Sequence, residues 1–346
     1  MGDQFMLPEI IEHVLHEKLK GYEMESHILQ WELNGYQRRR LKGIRKEIRE
    51  FAGSAEQLIQ HLSNISEVNI LLVHIAPVTI DVIKACKNLS IIGCLRANPV
   101  NVDIDAATLM GIPVLNTPGR NATAVAEFVI GAIIAYIRNI AKASTLLKNG
   151  QWKYDFYYYE HAGFELNGKT LGIIGFGQVG REVAKRAVAF GMNILVYDPY
   201  VQSSFIESFG AKSTTLEHLL RESDILSVHC VLTEETYHLI GEKQLRMMKP
   251  NAIIVNTARG GIIDESALVL ALEKKIVAGA ILDVFEDEPL PPDSPLLKLE
   301  NVMVTPHIAG AAKDVVYRAS SIIAEDIKRM LEGQKPLHCI NPHVLI

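Results

Sequence analysis

Three side chains in the second half of the chain have the functional groups to hold an acid and exchange a proton with it. Arg259 lies in the run Asn256-Thr-Ala-Arg-Gly-Gly261, just past an apolar segment, where two glycines let the chain turn and expose the guanidinium. A planar fork of donors suits a carboxylate, although a structural salt bridge is the usual fate of an arginine taken alone. His307, in Val304-Thr-Pro-His-Ile-Ala-Gly310, also follows an apolar run, and an imidazole is suited to moving a proton near neutral pH. The chain has 12 histidines, so this one gains meaning only in company. An acidic run, Phe285-Glu-Asp-Glu-Pro289, follows the segment carrying Asp283. A carboxylate from it, paired with the imidazole, would favour the imidazolium and fix its orientation. Residue type alone leaves Glu286, Asp287 and Glu288 equally eligible, and any of them can simply be solvated.

Proton exchange at an oxygen is half of a hydride-linked oxidation, and a second motif supplies the other half. The segment Leu171-Gly-Ile-Ile-Gly175-Phe-Gly177-Gln-Val-Gly180 is preceded by a strand pattern and followed by a helix-period run and a second apolar strand ending at Asp198. A bare G-x-G-x-x-G is weak, but in this setting it reads as a dinucleotide loop. Gly175 permits the tight turn, Gly177 lets the backbone approach a pyrophosphate, and Gly180 allows close packing of helix on strand. The pyrophosphate would rest on the exposed N–H groups and positive dipole end of the helix beginning near Gln178 and Val179. Ordinary turn and packing glycines are the alternative, which the flanking pattern disfavours. Asp198 would accept hydrogen bonds from the ribose hydroxyls and repel a 2′-phosphate. Pro199 and Tyr200 follow it rather than an arginine, so NAD is expected over NADP.

The elements that must position these residues are legible as a pattern. From about Asn69 onward, short apolar runs alternate with helix-period segments, which predicts βαβ units and a parallel sheet. In a first part, strands are expected over 70–75, 91–95 and 113–115, with helices over 80–86 and 104–110. The loops after those strands, including Arg96, Ala97 and Asn98 and the stretch from Asn116 to Gly119, lie where open α/β sheets bind ligands. One long helical stretch is expected over 122–147. It is followed by an aromatic segment, Trp152-Lys-Tyr-Asp-Phe-Tyr-Tyr-Tyr159, which either packs within the chain or forms a subunit contact. A second part has strands expected over 170–174, 193–197, 225–228, 252–256, 278–284 and 302–305. They are near-continuous apolar runs, as in a doubly wound sheet covered on both faces. A last helix over 314–331 is expected to return to the first part.

Composition limits the alternatives. At 346 residues the chain suits two lobes rather than one. With 48% hydrophobic and 22% charged residues, it is a packed globular chain. The net charge of −5 argues against a nucleic-acid partner. The basic run Arg38, Arg39, Arg40, Lys42, Arg45, Lys46, flanked by Glu47 and Glu50, reads as a solvated helical face. Cys86, Cys94, Cys230 and Cys339 form no C-x-x-C pair. Neither a disulfide framework nor a metal site is therefore expected, and a reducing cytoplasm fits best. No signal segment or membrane span is expected. The apolar helix from Ala122 and the aromatic stretch offer more hydrophobic surface than a monomer comfortably exposes, which predicts a homodimer.

Taken in order, the glycine loop with Asp198, His229-Cys-Val-Leu-Thr-Glu-Glu-Thr236, Asn256-Thr-Ala-Arg-Gly260, Leu282-Asp-Val-Phe-Glu-Asp-Glu-Pro289 and Pro306-His-Ile-Ala-Gly310 resemble the motifs of the D-isomer-specific 2-hydroxyacid dehydrogenases. The resemblance runs from about Asn69 to the last helix. It implies α/β architecture with two doubly wound parallel-sheet domains: a Rossmann NAD-binding domain (122–309) inserted in a flavodoxin-like substrate domain (1–121 and 310–346), with closure of the cleft between them on substrate. It implies that Arg259, Glu288 and His307 are catalytic, which chooses Glu288 among the acids. It further implies that Asp283 contacts the nicotinamide amide, that Thr257 and Ala258 line the cofactor, and that Arg96, Ala97 and Asn98 lie beside the substrate carboxylate. The reaction implied is interconversion of a D-2-hydroxy acid and its 2-keto acid.

The run Arg96-Ala-Asn-Pro-Val-Asn101, where many members have a glycine-rich stretch, resembles the phosphoglycerate dehydrogenase-like subgroup. With Arg96 as a phosphate partner, 3-phosphoglycerate is the leading expectation. Glyoxylate or hydroxypyruvate reduction and D-lactate chemistry are alternatives, and a non-enzymatic NAD-sensing corepressor is the alternative of another class. Three departures stand out: the opening Met1-Gly-Asp-Gln-Phe-Met-Leu-Pro reads as the loop after a first strand, Val231 stands where proline is common, and with the sequence ending at Ile346 feedback control through a C-terminal regulatory domain is not expected.

Overall fold

The computed structural model describes residues 2–31, 48, 50–65 and 67–345. The basic run from Arg38 to Lys46, with Glu47, lies outside the described residues. The chain divides into two compact units, one of Met1–Asn121 with Ala311–Ile346 and the other of Ala122–Gly310.

The first unit carries helices α1 (Pro8–Lys18) and α2 (Ala55–Leu62), then strand β1 (Ile70–Val73), α3 (Ile80–Ala85), β2 (Ile91–Cys94), α4 (Ile104–Leu109) and β3 (Val114–Leu115). The three strands are parallel and lie in the order β1-β2-β3. Helices α2, α3 and α4 each begin at a side chain that accepts a backbone N–H: Ser54 with a reciprocal bond from Gln57, Thr79, and Asp103. Such caps satisfy donors that the first helical turn cannot. The core holds Trp31, Leu58, Val73, Ile83, Ile92 and Val114. The unit's last helix comes from the far end of the sequence and packs along α1. The carboxamide of Asn341 binds the chain end to β3, accepting from Val114 N and donating to Ile112 O.

The second unit opens with α5 (Ala122–Ile137) and α6 (Ile140–Lys148), not the single helix expected over 122–147. Asn139 breaks it, with φ at 55°, in the left-handed region that ends helical runs. There follow β4 (Thr170–Ile174), α7 (Gln178–Ala189), β5 (Asn193–Tyr197), α8 (Ser203–Glu207), β6 (Lys212–Ser213), α9 (Leu216–Glu222) and β7 (Ile225–Val228). The unit continues through α10 (Glu242–Leu245), β8 (Ile253–Asn256), α11 (Glu265–Glu273), β9 (Gly279–Leu282) and β10 (Val302–Val304). Beyond it, α12 (Asp314–Leu331) is the returning helix of the first unit. The seven strands β4 to β10 are parallel, in the order β10-β9-β8-β7-β4-β5-β6.

Strands β7, β8 and β9 are buried throughout, because helices cover both faces. One face packs on α5 and α7 through Val129, Ile133, Ile173 and Val183, and the other on α9 and α11 through Leu219, Ile254 and Leu268. The sheet reverses its winding beside β4, so the loop after β4 opens at the switch point where doubly wound sheets take ligands.

Candidate active site

In the second unit every residue of interest follows the carboxyl end of a parallel strand. Between β4 and α7, Gly175 has φ at 90°, and a Cβ there would lie 2.5 Å from the Cys230 nitrogen. At Gly180 a Cβ would come within 2.3 Å of the Gly175 carbonyl oxygen, so only glycine allows α7 to lie this close to the loop. At Gly177, by contrast, a Cβ would meet nothing within 4 Å, which leaves a backbone surface open to a ligand. Gly177 is also the residue before α7 and supplies no side-chain cap to the helix's first N–H groups, those around Gln178 and Val179. Asp198, at the end of β5, accepts from Phe176 N at 2.7 Å and from Tyr200 N at 2.9 Å, so its carboxylate is fixed against the glycine loop. Burial pushes the neighbouring Cys230 thiol up to about 11, which keeps it protonated and unreactive at neutral pH.

On the other side of the switch point, Arg259 follows β8, Glu288 follows β9 and His307 follows β10, three strands that are neighbours in the sheet. The turn after β8 is held by the buried Asn256 carboxamide, which donates to Arg259 O at 2.9 Å and accepts from Ala258 N at 3.0 Å. This staple leaves the Arg259 side chain exposed, donating to Ala258 O at 2.7 Å. Gly260 lies so close to Phe285 that a Cβ would strike its backbone, bringing the β8 turn against the segment that carries Glu288. The Thr257 hydroxyl is buried with no hydrogen-bond partner among the described residues.

His307 Nδ1 lies 2.8 Å and 3.0 Å from the two Glu288 carboxylate oxygens, one of which also accepts from Phe285 N at 3.2 Å. The acidic run is thereby resolved by partner. Glu288 faces His307, while Glu286 accepts from His238 and from Glu265 N. A carboxylate on Nδ1 fixes the neutral imidazole as the Nδ1–H form and makes Nε2 its basic nitrogen.

Asp283 is fully buried at the end of β9, and its oxygens accept from Thr305 Oγ1 at 2.6 Å and from Ile308 N and Ala309 N at 2.8 Å each. It therefore clamps both sides of His307, whose φ of 56° sits in the left-handed region. With three of a carboxylate's roughly four acceptor positions filled, one remains for the amide contact expected of Asp283.

In the first unit, Arg96, Ala97 and Asn98 follow β2, and the last two are exposed. Thr117 N donates to Arg96 O at 2.9 Å and Asn116 Nδ2 to Ala97 O at 2.6 Å, which pins this loop to the end of β3. Sequence reading passes over His74, Asp3 and Arg120 around it, and it places Glu50 beside a solvated helical face, whereas Glu50 lies outside any helix, largely buried. Arg96 is paired with Glu50. His74, after β1, has Nδ1 2.6 Å from Asp3 and Nε2 3.3 Å from Arg120. Burial lowers His74 to about 4 in spite of Asp3, aided by the Arg120 and Arg96 charges. No spacing rule joins residues this far apart in sequence, so only the fold reveals the group.

The fit to a dinucleotide thus rests on the open backbone at Gly177, the uncapped start of α7, the fixed Asp198 carboxylate and the buried Thr257 hydroxyl. Comparison with known proteins agrees. Residues 130–309 match the family model described as D-isomer specific 2-hydroxyacid dehydrogenase, NAD binding domain. A glyoxylate reductase of Korarchaeum cryptofilum is 42% identical over 269 residues, covering 78% of this chain and 81% of that one. A D-3-phosphoglycerate dehydrogenase of Methanocaldococcus jannaschii is 43% identical over 282 residues, 81% of this chain but only 53% of the relative, so the match spans about half of that longer enzyme. The crystal structure of a glyoxylate reductase from Paecilomyes thermophila superposes with a TM-score of 0.69 at 34% identity, covering 84% of this chain and 90% of that one. The chain belongs to the D-isomer-specific 2-hydroxyacid dehydrogenases, NAD-dependent oxidoreductases that act on the CH–OH group of their donors.

Proposed function

We propose that Arg259, Glu288 and His307 are the catalytic residues and that the chain interconverts a small D-2-hydroxy acid and its 2-keto acid. NAD, when bound, supplies or accepts the hydride. The observation that carries this reading is the two-oxygen contact of Glu288 with His307 Nδ1. It holds the imidazole in one orientation and leaves Nε2 to exchange a proton with a substrate oxygen. Arg259, exposed on a stapled turn one strand further along the sheet, holds the carboxylate through two donors. Gly175, Gly177, Gln178, Val179, Gly180 and Asp198 would hold the cofactor's phosphates and ribose, and Thr257, Ala258 and Asp283 its nicotinamide end. We read the first unit as the substrate domain, with Arg96, Ala97 and Asn98 as its substrate loop, and the second as the inserted NAD domain.

We place the protein in the cytoplasm as a homodimer without a nucleic-acid or membrane partner. The four cysteines are all free thiols. Among the described residues no single helix is long and apolar enough to cross a membrane; α5 and α6 reach that length only as a pair bent by 63°.

The test is NADH oxidation across glyoxylate, hydroxypyruvate, phosphohydroxypyruvate, pyruvate and longer 2-keto acids, with H307A and E288Q beside the unmodified chain. General acid–base catalysis contributes about 100- to 10,000-fold, so H307A should lose turnover by that order while NADH binding by fluorescence persists. E288Q, which keeps a polar partner beside Nδ1, should lose less. Turnover of H307A equal to the unmodified chain would refute the proton-transfer role, and no oxidation with any acid would refute the substrate class.

A further inference from the structure

The Arg96 side chain is held at two points by one residue. Its guanidinium donates to the Glu50 carbonyl oxygen at 2.9 Å and forms an ion pair with the Glu50 carboxylate. Both side chains are largely buried, at 13% and 20% exposure, so solvent screens their attraction far less than on an open surface. Glu50 adopts φ at 53°, a left-handed conformation uncommon for a residue with a side chain. The Arg96 bond to its carbonyl is made from that conformation. Below the pair, the Arg96 backbone is fixed to Thr117 and that of Ala97 to Asn116. The guanidinium is therefore a preorganised group that already carries an anion, supplied by the chain itself.

We propose that Glu50 is a specificity-determining residue: it occupies Arg96 and excludes 2-keto acids bearing a second anionic group such as phosphate, while admitting those that end in hydrogen or hydroxyl. The proposal rests on the reading of Arg96 to Asn98 as a substrate loop, and it reverses the expectation of a phosphorylated substrate. A phosphate seeking the Arg96 fork must either displace a largely buried carboxylate from it or lie beside that carboxylate. Either route is costly enough to choose between substrates, since breaking a largely buried ion pair and making a like-charge contact both oppose binding. A neutral hydroxyl meets no such penalty and can share the polar pair.

Hydroxypyruvate and phosphohydroxypyruvate differ only in the phosphate, so their ratio of kcat/KM reads the effect directly. The unmodified chain should favour hydroxypyruvate by about 100-fold, the size of a like-charge penalty of this kind. E50Q, which keeps the shape and removes the charge, should cut that preference at least tenfold, and inorganic phosphate should raise the melting temperature of E50Q but not of the unmodified chain. An unmodified chain that prefers phosphohydroxypyruvate would overturn the proposal without any variant. So would an E50Q ratio within twofold of the original, even with a lowered melting temperature, because the pair would then be only structural. R96Q separates the underlying reading: if it leaves KM for both acids unchanged, Arg96 is not a substrate residue and the proposal falls with it. Absence of turnover on every acid by the unmodified chain would instead fail the oxidoreductase reading.

Discussion

His307 is fixed by a carboxylate on its ring and by a second carboxylate on the backbone around it, and the two acids come from the same loop after β9. Arg259, His307 and the acidic run holding Glu288 stand out as candidates in the sequence because each lies in a short run with turn formers beside a strand. Residue type alone does not separate Glu288 from Glu286; geometry does, by giving each a different histidine. Glu50, Asp3, His74 and Arg120 are illegible because their meaning lies in contacts between segments far apart in sequence. His74 yields a pH prediction. Burial holds it neutral in the folded chain down to about 4, while an exposed histidine takes a proton near 6.5. Above 6.5 neither state is protonated and His74 adds nothing to the slope. As pH falls from 6.5 to 4 the unfolded chain binds a proton that the folded chain refuses, so stability is lost across that window and levels off below it. H74N keeps a donor toward Asp3 and cannot titrate, so its urea-derived stability should fall less steeply, by up to about 1.4 kcal/mol per pH unit. Parallel slopes for the two proteins would contradict the assignment.

Elements are legible where apolar periodicity is long and obscure where one residue decides. Strands β4, β5 and β7 match their expected bounds, since buried parallel strands print themselves as continuous apolar runs. Strand β6, Lys212–Ser213, has two polar residues and no such signature. The helix expected over 122–147 fails at Asn139, which has apolar residues on both sides that continue the period. Asn139 takes the left-handed conformation and donates from its side chain to His161 O at 3.1 Å. Asparagine visits that region more readily than most residues, and alanine there loses about 1 kcal/mol. N139A should therefore lower the melting temperature by a few degrees, whereas N139G, which loses the bond but not the conformation, should lie closer to the unmodified protein. Calorimetry on the three proteins tests the order; N139A at or above the original would show that the break is not set by this residue.

At the scale of the whole molecule, the apolar surface that suggests a dimer is divided between two uses. Much of α5 is spent inside the second unit, where Val125, Ala126, Val129, Ile130, Ile133 and Ile137 are buried in its core. What stays uncovered lies just beyond it. Ile140 and Leu147 on α6 are about half exposed, and Trp152, Tyr154, Tyr157, Tyr158 and Tyr159 are more exposed still, Tyr159 at 94%. Only Trp152 and Tyr154 among these aromatics share a ring contact, so the arm buries little of itself. Several large exposed aromatics gathered in one segment mark an association surface, because rigid rings bury much area at small entropic cost. A second copy is the occupant that a twofold axis supplies without another gene product, since each arm then covers its mate. Light scattering should give twice the 38.4-kDa chain mass at micromolar concentration. Replacing Trp152, Tyr157 and Tyr159 together by serine should move that mass toward the monomer, while the buried face of α5 keeps the second unit folded by circular dichroism. A dimer unaffected by the triple change would place the interface elsewhere, and a monomer in the unmodified protein would leave the arm to some other partner.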